Sequence, residues 1–174
     1  MPEVHEAERQ ITETNSPEHP VVRDLQCQLA NALLAFINYK HYHWQVSGPW
    51  FRDLHLMFDE FAKEAAEALD EVAERLRMIG QDPVFRLDEV ARQASIRPAE
   101  IRDDLRAMIQ EADENAILLI SEVRQAARTA DDADDPGTVD LLGKIVRVYE
   151  KQEWYLREVL KSPGGLLGNY RMAG

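Results

Sequence analysis

Between the break at Ser47-Gly48-Pro49 and the stop at Gly80, followed by Pro83, the chain keeps one helical period for about thirty residues. Leu54, Phe58, Phe61, Ala65, Leu69, Val72 and Leu76 recur at three- or four-residue spacing, so a single stripe must be buried along a helix expected from about Trp50 to Ile79. A helix that long needs equally long partners. The flank beside its stripe carries two pairs of metal-competent side chains, His55 with Asp59 and Asp70 with Glu74, each four residues apart and hence on one face.

The pairs stand too far apart to close one site within one helix. Asp59 and Asp70 are separated by roughly 16 Å at about 1.5 Å per residue, whereas a metal holds its ligands at about 2.0 to 2.5 Å. The positions are nevertheless mirrored about a centre near Glu64 and Ala65: His55 reflects onto Glu74, and Asp59 onto Asp70. Two copies of this helix crossing antiparallel on a two-fold axis would bring His55 and Asp59 of one chain to Asp70 and Glu74 of the other. His43, about a turn before the Ser47-Gly48-Pro49 break, falls level with His55 in an antiparallel hairpin. On a chain with 30% charged residues any one of these carboxylates taken alone reads as a solvated surface group. The five together read as a metal site.

Three further segments carry helical stripes. The first runs from about His19–Val22 to Val46 through Leu25, Leu29, Ala32, Leu33, Phe36 and Tyr39 or Lys40. The third starts near Pro98, where a missing N–H costs nothing, and follows Ile101, Leu105, Met108, Ala112, Ala116, Leu119, Val123 and Ala126 to about Arg128. The fourth spans about Thr138–Leu160 through Leu142, Ile145, Val146, Tyr149, Leu156 and Val159, and Ser162-Pro163-Gly164-Gly165 ends it. Residues 81–97 form a connection with a short amphipathic piece, Leu87–Ala94, and DDADDPG reads as a solvated turn in preference to a weak cation patch. The expected fold is all-α, a four-helix bundle over 21–160 with an extra short helix between helices two and three, a flexible tail over 1–20 and a C-terminal tail over 161–174. His5 and His19 fall in the first tail and are expected to bind nothing. Glu-x-x-His pairs, which build di-iron centres inside a single bundle, are absent.

The run His43-Trp44, Gly48-Pro49, Phe51, Leu54-His55, Phe58-Asp59 and Asp70-Glu71-Val72-Ala73-Glu74-Arg75 resembles the Dps family of miniferritins, and the likeness extends from about Val21 to Leu160. His41 and His43 lie about 200° apart on a helix and cannot both face one site; the family pattern selects His43, leaving His41 as a packing or surface histidine. The resemblance implies a homododecameric shell built from two-fold dimers, with a ferroxidase centre at each dimer interface formed by His43, His55 and Asp59 of one subunit and Asp70 and Glu74 of the next. It implies oxidation of Fe(II), preferentially by hydrogen peroxide over oxygen, ferric mineral stored in the shell, and protection against oxidative stress. Trp44 and Trp154 match positions where aromatic rings lie near the centre and donate electrons; plain packing is the equal alternative. Glu60 and Glu64 are candidates to face the cavity and nucleate mineral, and Glu114 and Glu122 to line acidic pores. The donors suit iron, and also Zn(II) or Mn(II), while the absence of thiolates disfavours Cu(I).

The alternative is a nucleoid-associated protein that coats DNA. The formal charge of −12 opposes it, because a duplex is held by cations that neutralise phosphates. The N-terminal tail offers Arg9 against five glutamates, and a strip of Arg86, Arg92, Arg97 and Arg102 is the remaining basic candidate. No apolar run approaches the roughly 20 residues of a membrane span and the first residues do not read as a signal peptide, so a cytoplasmic protein is expected. Cys27, the lone cysteine, sits at an apolar helical position as a small buried hydrophobe.

Overall fold

The computed structural model describes residues 16–84, 86–100 and 104–161. They form helices α1 (Pro20–Gln45), α2 (Phe51–Met78), α3 (Leu87–Gln93), α4 (Leu105–Asp132) and α5 (Pro136–Leu160), with no strand among them. The four long helices pair as two antiparallel hairpins, α1 with α2 and α4 with α5; α1 also packs on α4, and α2 on α5. The stripes meet in one core, where Tyr42, Phe58, Phe61, Leu76, Leu119, Leu142 and Tyr149 are fully buried. Each such side chain stabilises the fold by about 1.5–3 kcal/mol relative to an exposed one. Leu69 of the expected stripe is half-buried at its edge.

Helix ends follow local chemistry. His19 caps α1, its ring Nδ1 accepting from the Val21 N–H at 3.3 Å, with Pro20 in the first turn. α2 closes on Gly80 at φ 82°, which lets Gly80 N–H reach Arg77 O and Gln81 N–H reach Leu76 O. α4 closes the same way on Asp134 at φ 55°, with Asp135 N–H donating to Ala130 O. α4 therefore runs to Asp132, past the expected end at Arg128, and DDADDPG is not a solvated turn throughout: Asp135 accepts from the Thr138 N–H at the start of α5 and pairs with Arg75 at 2.6 Å.

The connection from α2 to α4 is not helical at residues 97–100, where a helix start was expected. Amide side chains hold its backbone. Gln26 receives the Val84 N–H and donates to Asp82 O; Asn31 receives the Ser95 N–H; Asn38 donates to Arg97 O at 2.7 Å and receives the Ala99 N–H at 2.8 Å; Asn115 receives the Arg97 N–H. Residues 97–100 are not helical, so no helix opens at Pro98. α4 begins at Leu105, where the Asp104 carboxylate accepts from the Ala107 N–H. Ile101, Arg102, the N-terminal residues 1–15 with His5 and Arg9, and Ser162-Pro163-Gly164-Gly165 lie outside the described residues.

Candidate metal centre

The break at Ser47-Gly48-Pro49 turns α1 back on α2 and brings His43 level with His55. Their rings stack at 3.6 Å between centroids and 22° between planes, and the Phe51 ring lies tilted against His55 at 4.9 Å. The two histidines hold each other reciprocally: His43 Nδ1 donates to His55 O and His55 Nδ1 donates to His43 O, both at 2.8 Å. A carbonyl oxygen carries no proton, so each Nδ1 must carry it, which leaves each Nε2 with its lone pair. A metal-binding histidine is commonly oriented by this kind of bond from its second nitrogen to a carbonyl. His41, two residues away, faces elsewhere; its ring edge meets Tyr42 and its buried Nε2 has no partner.

Asp59 sits a turn below His55, but its carboxylate is engaged. Lys40 Nζ lies 3.0 Å from Oδ1 and Lys63 Nζ 2.8 Å from Oδ2. The hydrogen bonds from Lys63 and Lys40 hold its carboxyl far below the usual carboxylate range. Asp70 and Glu74 continue along α2 as exposed side chains, while the alternate residues turn into the bundle: Glu71 pairs with Lys144 and Arg75 with Asp135. No ion pair or hydrogen bond within the described residues engages Asp70 or Glu74.

A ferritin-like domain is matched by residues 22–163. Dps from Thermosynechococcus elongatus superposes with a TM-score of 0.81 and 39% identity, over 84% of this chain and 94% of that one. The DNA protection during starvation protein of Brevibacillus brevis is 34% identical over 137 residues, 79% of this chain and 92% of the relative. The chain belongs to the Dps family. Dps from Vibrio cholerae O1, 28% identical with a TM-score of 0.77 over 81% of this chain and 89% of that one, is described as a member of a broad superfamily of ferritin-like diiron-carboxylate proteins.

Within this Dps-family chain, among the described residues, no three His, Cys, Asp or Glu side chains come together as a group able to hold one metal ion. The structure unites His43 with His55, leaves Asp59 on its lysines, and sets Asp70 and Glu74 apart. Of the further candidates, Glu60 and Glu64 are not free carboxylates: Lys151 Nζ reaches them at 2.9 and 2.7 Å, and Glu64 also accepts from Gln152, whose Oε1 receives the Tyr39 hydroxyl. Those two bonds push the Lys151 ammonium well above the usual lysine range. Glu122 is half-buried with its charge on Cys27, whose thiol is raised chiefly by burial, and Glu114 is exposed. Trp44 and Trp154 are 68% and 50% exposed, so neither packs in this chain's core. Two members of the arginine strip carry counter-ions: Arg86 and Arg92 both reach Asp88, and Arg86 also lies 3.9 Å from Glu89.

Sequence reading missed Lys40 and Lys63 as partners of Asp59. The signal was there: Lys40 precedes His43 by three, Asp59 follows His55 by four, and in an antiparallel hairpin these are the next rung. No helix of the described residues is long and apolar enough to cross a membrane.

Proposed function

We propose that this Dps-family chain is an iron-oxidising and iron-storing miniferritin whose ferroxidase site is shared between two subunits. The observation that carries this reading is the reciprocal His43–His55 pair, which fixes both tautomers and leaves both Nε2 lone pairs for a metal. His43, His55 and Asp59 form one half-site. Asp70 and Glu74, without a partner among the described residues and mirrored along α2, supply the other half from a two-fold partner. Neutral imidazoles bind Fe(II) without adding charge, and the anionic carboxylates favour Fe(III), so the mixed donor set lowers the cost of oxidation. Hydrogen peroxide takes one electron from each of two ferrous ions and, with two protons, leaves as water. Trp44, exposed and next to His43 in sequence, would supply a further electron when iron is short. The subunits assemble as a dodecameric shell that stores the ferric product and protects the cell from oxidative stress.

The test is to add Fe(II) and peroxide to purified protein, following ferric absorbance together with particle size by light scattering. Rapid oxidation in a closed assembly, lost in His43→Ala/His55→Ala, is expected. A stable monomer that oxidises iron as fast would overturn the shared site.

A further inference from the structure

Below the stacked histidines the next rung of the α1–α2 hairpin is ionic. Lys40 and Asp59 leave their helices on the histidine face, and Lys40 Nζ is held twice, 3.0 Å from Asp59 Oδ1 and 5.9 Å from the centre of the Trp44 ring. Lys63 takes the other Asp59 oxygen at 2.8 Å. Both oxygens that would bind a metal are therefore occupied by ammonium groups. The two lysines are not equivalent: the Lys40 side chain is 24% exposed, that of Lys63 72% exposed.

A shared site has a charge problem before metal arrives. Asp59 would meet the partner subunit's Asp70 and the partner subunit's Glu74, three negative charges beside two neutral imidazoles, and like charges at short range are costly. Two lysines on the same rung cancel most of that excess. We propose that Lys40 and Lys63 are stand-in cations: they hold Asp59 while the site is empty, and an entering divalent ion must displace them. A metal bound to an Asp59 oxygen at about 2.0–2.5 Å would stand within a few ångströms of the ammonium group on that same oxygen, and the two like charges would repel. Lys63 leaves readily because it is solvated. Lys40, half-buried and seated on Trp44, sets most of the barrier. The lysines thus tune how much free metal the site requires before it fills. This inference rests on the metal-site reading of His43, His55 and Asp59.

Zn(II), which undergoes no redox chemistry, is the probe, titrated calorimetrically with melting temperatures recorded with and without it. The proteins are wild type, Lys40→Met, Lys40→Gln, Lys63→Met, Lys40→Arg and His43→Ala/His55→Ala. The methionine keeps the stem without the charge, the glutamine keeps a hydrogen bond without the charge, and the arginine keeps the charge. Lys40→Met and Lys40→Gln are expected to bind Zn(II) roughly tenfold more tightly, Lys63→Met less than about threefold more tightly, and Lys40→Arg like wild type. The metal-free Lys40→Met protein should melt lower than wild type yet gain more from Zn(II). Damage to the fold would weaken binding, the opposite sign. Unchanged or weaker Zn(II) binding in both Lys40→Met and Lys40→Gln, with binding still abolished by His43→Ala/His55→Ala, overturns the role of the lysines alone. Binding that survives His43→Ala/His55→Ala overturns the metal-site reading as well.

Discussion

If the two half-sites belong to different subunits, inactive proteins can complement each other, and the recovered activity has a calculable size. Take His43→Ala/His55→Ala, which keeps its acidic half, and Asp70→Ala/Glu74→Ala, which keeps its histidines. None of the four side chains belongs to the buried core, so both proteins should fold: the histidines are half-buried at the hairpin turn and the carboxylates are exposed. Each pure dimer has two dead sites. In a mixed dimer one site pairs the alanine-substituted histidine half with the alanine-substituted acidic half, and the other pairs the two intact halves. Random pairing of equal amounts makes about half of all dimers mixed, with one live site of two, so co-assembled protein should oxidise iron at about one quarter of the wild-type rate. Co-expression with two affinity tags, followed by sequential purification, confirms that the shells contain both subunits and leaves the expected rate at about one quarter, because nearly every randomly assembled shell of twelve already holds both. The assay is initial-rate ferric absorbance after addition of Fe(II) and peroxide. A mixed population no more active than its parents would refute the mirror geometry. So would a parent that alone reaches a quarter of wild type, since that site would be complete without the residues removed.

Asn38→Leu should cost about 2–4 kcal/mol in urea unfolding: it orphans the Ala99 N–H and removes one of the bonds to Arg97 O, which Asn115 still holds at 3.2 Å. A loss under about 0.5 kcal/mol would show the connection is held otherwise. Asp113 has a buried oxygen with no hydrogen-bond partner among the described residues, and burial, then the charge of Glu153, raises its carboxyl above the ordinary range. A raised folded-state value means stability present in acid and lost as pH rises through it, so Asp113→Asn should melt higher than wild type at pH 7 and converge with it near pH 4; the opposite order would refute the assignment. With a formal charge of −12, and with Arg86 and Arg92 tied to Asp88, the protein should give no retarded band with duplex DNA at sub-micromolar concentration in low salt at pH 7. A complex abolished by added salt would overturn that expectation.

The bundle was legible because its signal is periodic and redundant. Losing any one of Leu54, Phe58 or Phe61 from the stripe would not change the period, and the break at Ser47-Gly48-Pro49 and the stop at Gly80 bound the helix unambiguously. The start of α4 was not legible. Pro98 and Glu100 have the local chemistry of a first turn, and what competes with it is tertiary: Asn38 and Asn115, about sixty and eighteen residues away along the chain, bind the backbone of Arg97 and Ala99 in the non-helical connection. The Asp134 turn was hidden for a related reason, since a non-glycine residue at positive φ carries no strong mark in sequence.

The candidate site shows the same division between what spacing encodes and what charge decides. Spacing placed His43 level with His55, and the structure adds the reciprocal carbonyl bonds that choose their tautomers. Counting carboxylates as ligands, however, ignores the cations that reach them first. Glu60, Glu64 and Asp59 all have the right residue type on the right helix, yet Lys151 holds the first two and Lys40 and Lys63 the third, whereas Asp70 and Glu74 have no such partner among the described residues. The distinction bears on assembly. A carboxylate that already has a counter-ion gives a subunit little reason to dimerise, while two exposed carboxylates with no counter-ion among the described residues gain from lysine charge at the mirror positions. The acidic half of the helix is thus complementary in charge to the lysine-bearing half, and a two-fold axis near Glu64 and Ala65 would satisfy both at once, before any metal is bound.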